Sequence, residues 1–438
     1  AQAGAFLSAG AAFLAAILLL ISRALARPKT SGVTRSVIGL AVRNASRNAG
    51  RSVATIALMA SASFLIVAVS SFRLDPTDEG IGGFSLLAES SEPIIHDLNS
   101  AAGRKELLAD KAELLTKTTI LSFRVKPGDD ASCRNLYQPS QPRVLGVTPA
   151  MTAYFDDGQN QPRFVFAASA AKTPQEKANP WGVLRGAGFQ PALREERAGG
   201  YKPAPRDPIP VILYKITAMY SLKLYWGIGQ EFSVTYADGQ TVRFRVAGLL
   251  SNSILQGSLL IGEADFQRLF PRVSGYQSFL IKPQPGKESE IAALLEDQLG
   301  DEGFDASDAR ARLADLLAVQ NTYISTFQSL GALGLVLGTF GLAAVQLRNV
   351  FERRKELALL RAVGFRGIRL GEMVLLENLF LLVAGLACGA QAALFSAVPH
   401  MLLGGARVPL LDLAIMLGIV LIVGIVTGLL AVRATLRA

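Results

Sequence analysis

Five stretches of this chain carry no Asp, Glu, Lys or Arg: residues 1–22, 52–72, 316–347, 378–406 and 413–432. Charge-free runs of this length constrain a fold more than any motif does. About 20 apolar residues in a helix cross a hydrocarbon core about 30 Å thick. Membrane spans are therefore predicted near 4–22, 52–72, 321–347, 374–398 and 412–432. Gln320, Asn321, Thr322, Ser325, Thr326 and Gln328 open the third run, so a helix is predicted to project beyond the bilayer there. The runs also explain why only 18% of the chain is charged, where a soluble domain averages about 25%.

The remaining charge is sorted by position. Residues 73–315 hold 30 of the 35 acids and 27 of the 44 bases, whereas the rest of the chain holds 17 bases against 5 acids. Segment 23–51 carries Arg23, Arg27, Lys29, Arg35, Arg43, Arg47 and Arg51 with no acid. Segment 348–372 is also basic, and the tail adds Arg433 and Arg437. Basic loops stay on the cytoplasmic side, so 73–315 is predicted to lie outside and the basic segments inside. The net charge of +9 thus reflects topology and is weak evidence for nucleic acid, which needs a basic patch on a folded surface. With residue 1 outside, no initiator Met and no basic segment before the first apolar run, the chain is expected to continue a longer protein.

Between two charge-free runs lies a dense basic block, Arg348 to Gly364. Val350, Leu357 and Leu360 share one helical face, as do Phe351, Ala358 and Ala362, and Gly364 follows as a helix stop. A short amphipathic helix between two spans suits docking of a cytosolic partner. Segment 34–51 places Val37, Leu40 and Ala41 against Arg43, Asn44, Arg47 and Arg51. It reads either as an interfacial amphipathic helix or as a solvated basic flank.

The external region has two textures. Residues 84–118 read as helical, with Leu98, Leu107, Leu108, Leu114 and Leu115 among charges. Strands are predicted at 119–126, 143–148, 163–168, 209–214, 230–236, 241–249, 258–261 and 276–282, and helices at 263–270 and 288–300. Residues 232–246 form a hairpin whose turn holds Asp238 and Gly239. Stretch 171–210 is rich in Pro, Gly and charge and reads as a long loop. Within it, Trp181 and Phe189 are either a binding tip or the loop's own anchors.

Several chemistries find no support. The chain has no Gly-x-x-x-x-Gly-Lys-Ser/Thr phosphate loop and no Gly-x-Ser-x-Gly elbow. Its two histidines, His96 and His400, have no sequence-adjacent metal ligands. Asp129-Asp130 and Asp156-Asp157 sit beside Gly in predicted turns and read as solvated. Glu372 and Glu377 are placed at the start of a span and Asp412 at an external edge, which leaves no buried charge for a proton path. Cys133 and Cys388 are not expected to pair. Gly334–Gly338, Gly385–Gly389 and Gly424–Gly428 fit Gly-x-x-x-Gly, which lets helix backbones approach closely, within or between chains.

The run Arg354-Lys355-Glu356-Leu357-Ala358-Leu359-Leu360-Arg361-Ala362-Val363-Gly364, followed by Glu377, resembles the signature of the FtsX-like permease family of ABC transporters. Leu40 to Asn48 resembles the lead-in to that family's first span, and 209–282 is similar to the closing part of a MacB-like periplasmic core domain. The resemblance implies one span, a large extracytoplasmic α+β domain and then three spans. With the apolar run at 4–22 in front, the fold expected is an α-helical membrane bundle of about five transmembrane helices plus that domain. Its parts would be a leading transmembrane helix and cytoplasmic linker (1–33), an amphipathic helix and span (34–72), the MacB-like domain (73–318), and a three-helix FtsX-like domain (319–438) with a coupling helix at 349–364.

The family works with a separate cytosolic ATPase, which binds the ATP, so no cofactor is expected in this chain. The ATPase contact would fall on Val350, Glu356, Leu357, Leu360, Arg361 and Gly364. A second permease half or subunit, membrane lipids and an inner-membrane location are implied as well, and no enzymatic activity. The chain would then be the C-terminal half of a duplicated permease, exporting or extracting a lipid, lipoprotein, peptide or drug-like substrate. The alternative is an ATPase-controlled scaffold that regulates external partners such as cell-wall hydrolases. Three features depart from the family pattern: the span at 4–22 ahead of the family unit, which suggests the duplication, the short tail, and the 171–210 stretch.

Overall fold

The computed structural model of the chain describes residues 2–27, 45–46, 49–70, 73–132, 135, 137–158, 162–185, 208–237, 239–352, 359, 362, 367–404 and 410–437. Two compact units emerge, Leu74–Gln320 and the combination of Ala1–Arg73 with Asn321–Ala438. Helices among the described residues are α1 (Gln2–Ala26), α2 (Ala49–Ser70), α3 (Ala101–Leu108), α4 (Pro149–Asp156), α5 (Pro174–Ala178), α6 (Glu263–Leu269), α7 (Glu288–Gln298), α8 (Ala309–Glu352), α9 (Gly367–Gly404) and α10 (Leu410–Arg437).

The unit Leu74–Gln320 is built on a ten-stranded mixed sheet. Its strands are β1 (Leu86–Ile94), β2 (Thr119–Lys126), β3 (Val144–Val147), β4 (Val165–Ser169), β5 (Ile209–Tyr214), β6 (Glu231–Thr235), β7 (Thr241–Ser251), β8 (Leu259–Gly262), β9 (Tyr276–Lys282) and β10 (Phe304–Asp308). They run in the order β10-β1-β9-β2-β3-β8-β5-β7-β4, with β6 paired to β7. Strands β3 and β8 are parallel, as are β5 and β7.

Side chains alternate across a strand, and here both faces are covered. Leu121, Phe123 and Val125 of β2 pack with Met151 and Phe155 of α4, with Trp181, and with Leu313 and Leu317 of α8. On the other face Ile120 meets Phe279 and Ile281 of β9 and Ile291 and Leu295 of α7. Further along, Val211 and Leu213 of β5 pack with Phe244 of β7 and Phe266 of α6.

This two-sided burial corrects the reading of 84–118 as helical. Leu87 faces one layer, whereas Leu86 and Ala88 face the other. A strand buried on both faces shows a continuous apolar run, which mimics a helix in sequence. Strand β1 lies between β9 and β10, with Leu87 opposite Leu280 and Ser307. Only the later part is helical, through α3 and a 3-10 turn at Ala109–Leu115. Ser100 caps α3 by accepting from the Gly103 N–H at 2.9 Å. Arg104 donates to the carbonyls of Leu98, Leu115 and Thr118 and so closes the segment on itself.

The stretch read as one loop over 171–210 is in part folded. Thr173 and Glu176 form a capping box at α5, and a 3-10 turn follows at Pro180–Arg185. Trp181 is buried among Phe155, Phe164 and Phe166, with ring centroids 5.3–6.5 Å away. Asn179 donates 2.8 Å bonds to Thr152 O and Asp156 Oδ1 and so fixes the approach of this turn to α4. Trp181 is thus an anchor. Phe189, like Asp238 in the β6–β7 hairpin, lies outside the described residues; Gly239 takes φ +79° in that turn, a conformation that favours glycine.

In the other unit, Leu7–Ala26, Ala49–Ser70 and Leu375–Ser396 are long and apolar enough to cross a membrane. The stretches predicted at 321–347 and 412–432 fall on α8 and α10. Leu14 of α1, Ala60, Phe64 and Val67 of α2, and Cys388, Ala392 and Ala393 of α9 share one cluster. Phe13 stacks on Phe395 at 4.6 Å. Most of segment 34–48, and Cys133, lie outside the described residues.

Candidate functional site

The residues expected to meet an ATPase are only marginally described. Val350 belongs to the last described turns of α8, which runs unbroken to Glu352 where a separate helix from 349 is predicted. Glu356, Leu357, Leu360, Arg361 and Gly364 lie outside the described residues. Between them Leu359 and Ala362 are helical and exposed, Leu359 at 68%.

Helix contacts in the membrane unit are set by small residues. A Cβ added at Gly385 would lie 2.6 Å from the Met59 Cβ, and one at Gly389 would overlap the Ser63 hydroxyl and the Ala60 carbonyl. A Cβ at Gly10 would lie 2.8 Å from the Ser396 Cβ and 2.9 Å from the Phe64 ring. The Gly385–Gly389 pair therefore closes α9 onto α2 of the same chain. Gly424 of α10 lies against Leu382 of α9 in the same manner. The side chain of Ser63 turns back to the Ala60 carbonyl at 3.2 Å, and Gln328 donates to Ser70 Oγ at 2.8 Å.

Two polar side chains interrupt this packing. Glu377 is 6% exposed and Asn378 8%. Glu377 is the third residue of the apolar stretch Leu375–Ser396, at the start of a span as expected, but its burial corrects the expectation that no charge is buried there. The Asn378 amide nitrogen has no hydrogen-bond partner. Asn378 also lines a cavity of about 60 Å³ with Leu375, Leu379, Leu382, Gly424 and Ile425. Burial of a carboxylate beside an amide was not legible from composition, which records only that both follow an apolar run.

Several charged groups of the sheet unit are engaged in structural contacts. Asp129 Oδ2 accepts from Ser140 N at 2.8 Å, Ser140 Oγ at 3.0 Å and Gln141 N at 3.0 Å. The Gln141 and Ser140 bonds hold its carboxyl below the usual range. Hydrogen bonds from Arg185 and Asn179 do the same for Asp156. Asp129 thus pins its turn, and Asp156, at the end of α4, holds Arg185 and Asn179. Arg124 meets Glu263 at 2.7 Å and stands 4.7 Å over the Tyr276 ring. Among the described residues no group of three or more His, Cys, Asp or Glu could hold a metal ion.

These elements define a chain in which apolar helices of membrane-spanning length precede and follow, in sequence, a large mixed α+β unit. Residues 329–438 match the model of the FtsX-like permease C-terminal family. Over those residues the chain resembles the FtsX-like permeases of ABC transporters, as the motif at 354–364 implied. Among solved structures, the periplasmic region of MacB from Actinobacillus actinomycetemcomitans is similar over 54% of this chain and 93% of its own, with 12% identity and a TM-score of 0.28. No curated protein matches the chain.

Proposed function

We propose that the chain is the membrane permease subunit, or one half, of an ABC transporter. A separate cytosolic ATPase binds and hydrolyses ATP, and the permease passes that work to its extracytoplasmic unit. The observation that carries this reading is the FtsX-like region at 329–438, which begins within α8. The same helix contributes Leu313 and Leu317 to the core of the sheet unit. One continuous segment of chain thus joins the FtsX-like region to the sheet it would move.

In this reading Val350, Leu357 and Leu360 form the apolar contact with the ATPase, Glu356 and Arg361 fix its register, and Gly364 ends the helix. The exposed Leu359 supports an uncovered apolar surface in this segment. The protein sits in the inner membrane with a second permease half or subunit and exports or extracts a lipid, lipoprotein, peptide or drug-like molecule. Docking is tested by affinity purification of the full chain from its native cells. A cytosolic ATPase should co-purify with the wild type and be lost with Leu360→Asp, which puts a charge in a desolvated contact. Undiminished ATPase recovery with Leu360→Asp and with Leu357→Ala, at matched expression, would defeat the assignment.

A further inference from the structure

Residues 215–230 make an aromatic tip on the sheet unit that the proposed coupling does not use. Trp226 is 89% exposed, and Tyr220 and Tyr225 are each 71% exposed. The tip is held from below. Ala218 and Leu224 are buried in the cluster that contains Phe244 and Phe266, with Leu222 and Ile228 packed against it. The chain folds back through Leu224 N to Ala218 O at 2.7 Å and Leu222 N to Thr217 O at 3.0 Å. Gln230 Oε1 accepts from the Trp226 backbone N–H at 2.8 Å. Lys223, Gly227 and Gly229 all take positive φ, as residues in tight turns do. Large aromatics held in water without cover mark a contact surface.

The composition of the tip selects the partner. Lys215 and Lys223 are its charged residues, and it has no acid. The nearest acid in sequence, Glu231, is taken by Arg243 at 2.7 Å and Arg245 at 2.8 Å. Protein interfaces enrich Tyr and Trp but deplete Lys. Trp, Tyr and Lys together are the residues of the membrane–water boundary, where amphipathic rings sit among headgroups and ammonium groups meet phosphates.

We propose that the Tyr220–Trp226 tip binds the headgroup layer of a phospholipid bilayer. Trp226 and the two tyrosines enter the boundary, and Lys223 meets lipid phosphate. Contact of this kind would hold the sheet unit against lipid during transport, which goes beyond the coupling role.

The chain's own tryptophans make the test direct, because its other Trp, Trp181, is buried in the sheet core. The full chain and a Trp226→Phe variant are reconstituted in bilayers of phosphatidylcholine and phosphatidylglycerol in equal parts. Subtracting the variant's emission from the wild type's isolates Trp226 without disturbing Trp181. Expected is a blue-shifted difference emission that is lost when the lipids carry bromine at the start of the acyl chains, together with protection from iodide. A difference emission at the wavelength of free tryptophan, quenched by iodide and indifferent to brominated lipid, would overturn the proposal. That outcome would leave the tip as a surface for a protein partner. A Tyr220→Ser/Tyr225→Ser variant, which keeps Trp226, should show weaker quenching by brominated lipid; unchanged quenching would remove the tyrosines from the contact.

Discussion

Gly385 of α9 lies so close to Met59 of α2 that a Cβ there would stand 2.6 Å from the Met59 Cβ. Helix association in lipid rests on van der Waals packing, because hydrocarbon tails supply no hydrophobic driving force. Losing that approach removes contacts along the whole crossing. Gly389→Leu should destabilise the membrane unit by about 1–3 kcal/mol through overpacking, read as a lower thermal midpoint in detergent. Gly418 of α10 meets nothing within 4 Å, so Gly418→Ala should be neutral or stabilising by up to about 1 kcal/mol. Equal losses from both substitutions would contradict the packing account.

Arg124 and Glu263 tie β2 to α6, and both side chains are mostly buried. Removing one partner strands the other charge. Arg124→Met should cost roughly 2–3 kcal/mol, below the 3–5 kcal/mol of a fully buried pair. Adding Glu263→Leu to it should recover much of that loss. A double-mutant cycle by thermal unfolding measures the coupling, and additive effects would show that the pair contributes little.

Acid should loosen the turn that Asp129 pins. Its folded-state pKa is depressed, chiefly by the Gln141 N–H and then by Ser140. A depressed carboxylate contributes stability above its unfolded pKa of about 3.9, and that contribution is lost as pH falls through the lower, folded value. The wild type should therefore be more stable than Asp129→Asn at neutral pH. The two thermal midpoints should converge as the pH falls below the ordinary carboxylate range. A gap that persists in acid would assign the difference to shape rather than charge.

Topology has its own test. Ser289 is exposed in the sheet unit, and Arg353 lies in the basic segment read as cytoplasmic. An impermeant maleimide on intact cells should label Ser289→Cys and spare Arg353→Cys until the membrane is opened. The reverse pattern would invert the orientation.

Much of the sheet was legible because its strands carry their own signal. The run 119–126 and the hairpin around 232–246 alternate apolar and polar residues, and β2, β6 and β7 follow them. Strand β1 was misread because its Leu86-Leu87-Ala88 run is buried on both faces, a fact set by β9 and β10 and absent from local sequence. Strand β10 was missed for the opposite reason. It pairs only with β1 among the described strands, and Phe304 is its one buried residue. The fold of 171–185 depends on Trp181 finding three phenylalanines, and a run of prolines and charges hides that. Glu377 was visible as a residue but not as a buried one, since its environment is made by what α9 packs against. The aromatic tip at Tyr220–Trp226 could have been noticed as Tyr and Trp beside Lys without acids; its exposure could not.

The central claim is that a cytosolic ATPase drives this chain through the segment at 350–364. The most direct measurement is ATP hydrolysis by that ATPase, reconstituted in bilayers with the wild-type chain, with Leu360→Asp, and with lipid alone. The account predicts membrane-bound hydrolysis that depends on the wild-type chain and falls with Leu360→Asp to the lipid-alone rate. Losing a contact such as Leu360, worth roughly 1.5–3 kcal/mol when buried, corresponds to about tenfold weaker docking or more. Hydrolysis and membrane association that are the same in all three preparations would contradict it.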